Sequence, residues 1–244
     1  MSPIASTRMT VSGESRQYNA FMPIILFDID GTLVRSGGAG KAAMEGALVA
    51  AFGVTELRDG VPYSGRTDFA ITRDLLRVHG IDPTPANQRT LRDAYLAHLP
   101  GSLQSKGGTV CPGIPELLAA LAGKPGVVLG LLTGNVRTGA QTKLGHFGLW
   151  DFFTCGGFGD DHFDRDDVAR SALASARETL GSDVNPADVW VIGDTPLDVS
   201  CARAIGANAV AVATGWHPME ELAGHKPDLI FADLSDHSRL LSAW

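Results

Sequence analysis

Residues 24–40 read IILFDIDGTLVRSGGAG. An apolar run, Ile24–Phe27, leads straight into two carboxylates one residue apart, Asp28 and Asp30, followed by Gly31, Thr32 and a second group of glycines. Two like charges at the end of such a run repel one another and lose water. One Asp suffices to cap a turn, so the pair asks for a chemical reason.

Similar runs recur along the chain. VVLGLL at 127–132, VWVI at 189–192, AVAVA at 209–213 and a weaker LIF at 229–231 have the length and density of buried parallel strands. Between them, residues 113–122, 136–146, 166–180 and 197–205 place apolar side chains three and four apart, as helices do. This alternation predicts an α/β fold with a doubly wound parallel sheet. Residues 37–108 interrupt the pattern with three helical stretches, at 40–52, 67–79 and 85–99, and no convincing strand. The expected organisation is a disordered tail at 1–21, a core made of 22–36 with 109–244, and a helical cap at 37–108. Gly37-Gly38 and Ser105–Gly108 are the expected hinges, and Met22 could be the natural start.

Composition narrows the function. The 244 residues are 44% hydrophobic and 19% charged with a net charge of −7, and Lys and Arg are scattered, which argues against nucleic-acid or anionic-membrane partners. No apolar run approaches the ~20 residues of a membrane span. Cys111, Cys155 and Cys201 have no paired spacing, and they read as buried thiols of a cytoplasmic protein. Nothing in the sequence speaks to oligomeric state.

In an open parallel sheet the carboxyl ends of the strands line the ligand crevice. Asp28, Thr133 and Asp194 each end a predicted strand, so three polar residues from distant sequence should converge. Asp28 suits a nucleophile that forms a covalent aspartyl intermediate. Asp30, lifted by the turn at Gly31, suits a general acid and base. Crowded carboxylates call for a hard cation, and Asp28, Asp194 and the main-chain carbonyl of Asp30 are the expected Mg²⁺ ligands. Thr133, Gly134 and Asn135 precede a helix and are expected to hold phosphate oxygens. Asp198 is expected to hydrogen-bond loop amides or orient Asp194, with helix capping an equal reading. The acidic run at 160–167 reads as a solvated helix start, and Phe147, Trp150, Phe152 and Phe153 as core packing.

DIDGTL, LLTGN and VIGDTPLD, in that order and each behind a strand, resemble the first, second and fourth motifs of the haloacid dehalogenase (HAD) superfamily. The resemblance covers residues 22–234 and is nearest to phosphoglycolate phosphatase-like members with a helical cap inserted after the first motif. It implies a Rossmann-like core, Mg²⁺-dependent phosphoryl transfer with Asp28 phosphorylated in turnover, and a small phosphorylated metabolite as substrate. It also implies that Gly65–Asp68, which opens a cap helix, faces the site, with Arg66 a candidate for a substrate carboxylate or phosphate. A phosphomutase of the β-phosphoglucomutase type, or a binding protein that kept the fold without catalysis, are the alternatives. One departure stands out: the family's third-motif lysine is missing from GGFGDDHFDRDDVAR at 156–170. Lys143 is the expected replacement, since helical side chains point back toward the N-terminus. Arg165, the other candidate, is expected to bond Asp164 and Asp166 or to lie in solvent.

Overall fold

The computed structural model describes residues 23–181 and 183–243. The expectations for the tail at 1–21 and for Met22 lie outside the described residues. Six parallel strands form the main sheet: β1 (Ile24–Phe27), β4 (Val128–Leu132), β5 (Cys155–Gly157), β6 (Val189–Gly193), β7 (Asn208–Val212) and β8 (Leu229–Phe231). Their spatial order is β5-β4-β1-β6-β7-β8, so β1 pairs with both β4 and β6. The winding reverses beside β1, which is the switch point where such sheets open a crevice.

The strands are continuously apolar because both faces are covered. Ile25 and Phe27 pack with α4 (Ile114–Ala122) and α5 (Arg137–His146) on one side. Ile24 and Leu26 pack with α6 (Arg165–Leu180) and α7 (Pro196–Ala204) on the other. Phe147, Trp150, Phe152 and Phe153 pack, partly buried, against the first of these layers. Two short helices, α8 (Met219–Gly224) and α9 (Ser238–Leu241), complete the described chain.

Strand β5 had no sequence signal because it reads Cys-Gly-Gly. A Cβ on Gly157 would sit 2.2 Å from the Val168 carbonyl oxygen, so glycine lets α6 approach the sheet this closely.

Three helices, α1 (Ala39–Phe52), α2 (Asp68–Val78) and α3 (Pro85–Lys106), fall between β1 and α4 and bury their own apolar cluster. Helix α3 runs about two turns beyond the stop expected at residue 99, to Lys106. Pro100 lies on its exposed face while Leu99 and Leu103 are buried, so packing carries the helix through the proline. At the base of the insert a two-residue antiparallel ribbon, β2 (Val34–Arg35) with β3 (Thr109–Val110), brings the outgoing and returning chain together. A Cβ on Gly37 would lie 2.8 Å from the Lys106 carbonyl oxygen, and one on Gly108 would lie 2.5 Å from that of Arg35.

Candidate active site

Asp28, Thr133 and Asp194 directly follow β1, β4 and β6, and all three are buried. Asp194 fits because two glycines leave it room. A Cβ on Gly31 would come within 2.4 Å of its carboxylate, and one on Gly215 within 1.6 Å. Thr32 donates its hydroxyl to Asp194 at 3.2 Å.

Asp198 stands in the first turn of α7 and does two things. Its Oδ2 accepts from the Thr195 amide at 3.0 Å and the Thr195 hydroxyl at 2.7 Å, closing a capping box. Its Oδ1 accepts from Arg165. Asp28, Asp194 and Asp198 each offer an oxygen within 4.8 Å of the others. Burial pushes the Asp28 carboxyl up to about 7, although Arg165 draws it back. Burial and repulsion from Asp28 and Asp198 push Asp194 well above the usual carboxylate range. Three buried carboxylate donors this close suit a hard divalent cation that takes oxygen ligands. This group of side chains holds Asp198 beside the expected Asp28 and Asp194, while Asp30 was expected to contribute its main-chain carbonyl.

The two cations divide differently from expectation. Arg165, the first residue of α6, is buried and donates through Nη1 and Nη2 to Asp28 Oδ1 at 3.3 and 3.4 Å, as well as to Asp198. It is neither in solvent nor turned to Asp164 and Asp166, because the helix start sits beneath the end of β4, where Nη2 also reaches the Leu132 carbonyl at 3.4 Å. Lys143 is buried too, but its ammonium meets Asp30 at 2.5 Å and Asn135 Oδ1 at 2.6 Å. The cation on Asp28 is therefore Arg165, and Lys143 belongs to Asp30. Burial works against the Asp30 charge, yet Lys143 outweighs it and holds this carboxyl below its ordinary value. The Asp30 side chain remains 41% exposed. Asn135 ties the group together, donating through Nδ2 to Asp30 and to the Thr133 hydroxyl, both at 2.9 Å.

Arg66 does not join this set. Its guanidinium is committed to Asp74 at 2.6 Å and to the Pro62 carbonyl at 3.2 Å, within the insert itself. Its neighbour Asp68 was missed as a site residue, since its partners lie about seventy residues away. The Asp68 amide donates to the Gly134 carbonyl at 2.7 Å and its carboxylate accepts from the Val136 amide at 2.9 Å. Burial pushes Asp68 up to about 6, with Lys143 pulling the other way. In the acidic run, Asp160 accepts from the Arg137 amide at 2.9 Å.

The haloacid dehalogenase-like hydrolase family model matches residues 22–206. The phosphoglycolate phosphatase of Pectobacterium atrosepticum is 28% identical over 216 residues, covering 86% of this chain and 89% of the relative. That of Synechococcus elongatus is 30% identical over 217 residues, covering 88% and 95%. In three dimensions, CbbY from Rhodobacter sphaeroides superposes with a TM-score of 0.70 at 22% identity, over 88% of this chain and 96% of that one. The chain belongs to the haloacid dehalogenase-like hydrolases. Within them it is phosphoglycolate phosphatase-like, with the enzyme class of a phosphoric monoester hydrolase.

Proposed function

We propose that the chain is a Mg²⁺-dependent phosphatase that hydrolyses a small phosphorylated metabolite through an aspartyl-phosphate on Asp28. The observation that carries this reading is the placement of Asp28 at the sheet's switch point, within reach of the Arg165 guanidinium and grouped with the carboxylates of Asp194 and Asp198. Mg²⁺ held by Asp28, Asp194 and Asp198, with the Asp30 carbonyl, would offset the charge of these carboxylates and of the phosphoryl oxygens.

An Asp28 oxygen attacks phosphorus and the bond to the leaving oxygen breaks. A protonated Asp30 gives its proton to that oxygen as the bond breaks, with the Lys143 ammonium 2.5 Å away to hold the carboxylate that remains. Water then attacks the same phosphorus, Asp30 takes its proton, and Asp28 is released with inorganic phosphate. Arg165 supplies two fixed donors for charge that develops on the transferring group, and Thr133, Gly134 and Asn135 hold its remaining oxygens. The phosphoglycolate phosphatases among the relatives make phosphoglycolate the first substrate to try. The helices of 37–108 read as the cap that closes over the crevice. No described helix is long and apolar enough to cross a membrane, and the three buried free thiols suit a reducing cytoplasm.

Phosphate release from p-nitrophenyl phosphate and from phosphoglycolate, with Mg²⁺ and with excess chelator, tests the reading. Turnover should need the metal and vanish in Asp28→Asn; an Asp28→Asn enzyme at wild-type rate would overturn the mechanism.

A further inference from the structure

The four residues Gly65–Asp68 of the insert touch both of the core's loops. A Cβ on Gly65 would lie 3.0 Å from the Thr195 hydroxyl oxygen, beside the Asp194 loop. Three residues on, Asp68 binds the carbonyl of Gly134 and the amide of Val136, the residues immediately before and after Asn135. Asn135 is in turn the residue that orders Thr133, Asp30 and Lys143. The loop has no slack here. A Cβ on Gly134 would stand 2.1 Å from the Arg66 carbonyl oxygen, and one on Gly159 would stand 2.1 Å from the Gly134 oxygen. The Gly134-Asn135 peptide is thus sandwiched between the insert and residues 157–159, with Gly159 donating to the Asn135 carbonyl at 2.8 Å.

We infer that Asp68 is a positioning residue for the phosphate-holding loop. By straddling Asn135 it sets where that side chain stands, so the insert fixes the geometry of Asp30 and Lys143 without touching the phosphoryl group. This inference rests on the phosphatase reading of the site. The bond to Val136 needs an acceptor at this position and not a charge, which separates Asn from Ala as replacements. Displacing reacting groups by about 1 Å costs up to ~10²-fold in rate.

The test compares wild type, Asp68→Asn, Asp68→Ala and Gly134→Ala for turnover of p-nitrophenyl phosphate, for inhibition by inorganic phosphate and for half-saturation by Mg²⁺. Asp68→Ala should lower kcat by about 10- to 100-fold and weaken phosphate inhibition about tenfold, leaving half-saturation by Mg²⁺ within about twofold. Asp68→Asn should recover most of both losses. Gly134→Ala, whose Cβ would press the same loop against the Arg66 carbonyl of the insert, should resemble Asp68→Ala. Wild-type kinetics in Asp68→Ala, a shift in Mg²⁺ dependence that follows the phosphate effect, or an Asp68→Asn as impaired as Asp68→Ala would overturn the inference. If the wild type turns over no phosphomonoester but binds phosphate in calorimetry, the phosphatase reading falls, and the same variants decide the positioning role by their phosphate affinity. A wild type that neither turns over nor binds phosphate overturns both.

Discussion

Arg165 and Lys143 are both buried cations within reach of the same crevice, and their partners separate their effects. Removing Arg165 leaves Asp28 and Asp198 crowded and unpaired. Arg165→Ala should therefore lose activity by about 10²- to 10³-fold, as a preorganised electrostatic contact does, and should also unfold at lower temperature, since breaking a buried pair costs roughly 3–5 kcal/mol. Arg165→Lys keeps the charge but not the fork, and should fall between it and the wild type in both rate and melting temperature. Lys143→Ala should lower kcat while leaving the contact on Asp28 in place, so its loss of phosphate inhibition should be smaller than that of Arg165→Ala. Asp68 yields a pH signature. Its folded value of about 6 lies above the ~3.9 of an unfolded Asp, so the folded state holds the proton more tightly and stability declines as pH rises through that interval. Asp68→Asn removes the decline. It should melt above the wild type at pH 7.5, and the difference should vanish below about pH 4, as thermal melts at the two values would show. Sequence could name both cations but not assign them. Arg165 opens α6 and Lys143 stands in the last turn of α5, and which carboxylate each meets depends on how the two helices seat on the sheet, which no local pattern records.

At the scale of elements, the strands that announced themselves were those with branched apolar side chains facing a helical layer on both sides, such as Ile24–Phe27 and Val189–Gly193. Those without such a signal stayed hidden. Cys155–Gly157 is a strand by its neighbours' pairing and by the glycines that admit α6, and the two-residue partners Val34–Arg35 and Thr109–Val110 are too short to carry a period. The end of α3 was hidden for the opposite reason: a proline argued for a stop that tertiary packing overrode. That proline gives a prediction. Pro100 removes the amide that would bond the Leu96 carbonyl, so Pro100→Ala should raise the melting temperature by a few degrees, given about 2–4 °C per kcal/mol for a chain of this size. Its kcat should not change, because Pro100 lies far along α3 on the solvent side. By contrast Leu103→Ala, which empties a fully buried position between α3 and α1, should cost about 2–5 kcal/mol in a denaturant titration.

For the molecule as a whole, the crowding of Asp28, Asp194 and Asp198 links metal to stability. A cation that binds only the folded chain stabilises it by mass action, about 2.7 kcal/mol at a hundred times its Kd. Millimolar Mg²⁺ should accordingly raise the melting temperature by several degrees, chelator should reverse the rise, and Asp194→Asn should abolish most of it. The convergence of Asp28 and Asp194 was legible, because the carboxyl ends of parallel strands must share one edge, whereas Asp198 joins them from the first turn of α7; the handover from the insert to the loop at Asn135 was not, because it joins residues with no common period. The β2–β3 ribbon carries one more consequence. Since the chain leaves the core and returns to it through two strands paired side by side, the intervening 37–108 segment begins and ends at nearly the same point in space. A piece of polypeptide with coincident ends can be lengthened, shortened or exchanged for another at little cost in loop closure, which grows only logarithmically with length. The sheet edge that carries Asp28 and the inserted helices can thus diverge at independent rates, and a lineage can exchange the whole segment by one graft, provided the graft restores an acceptor where Asp68 stands.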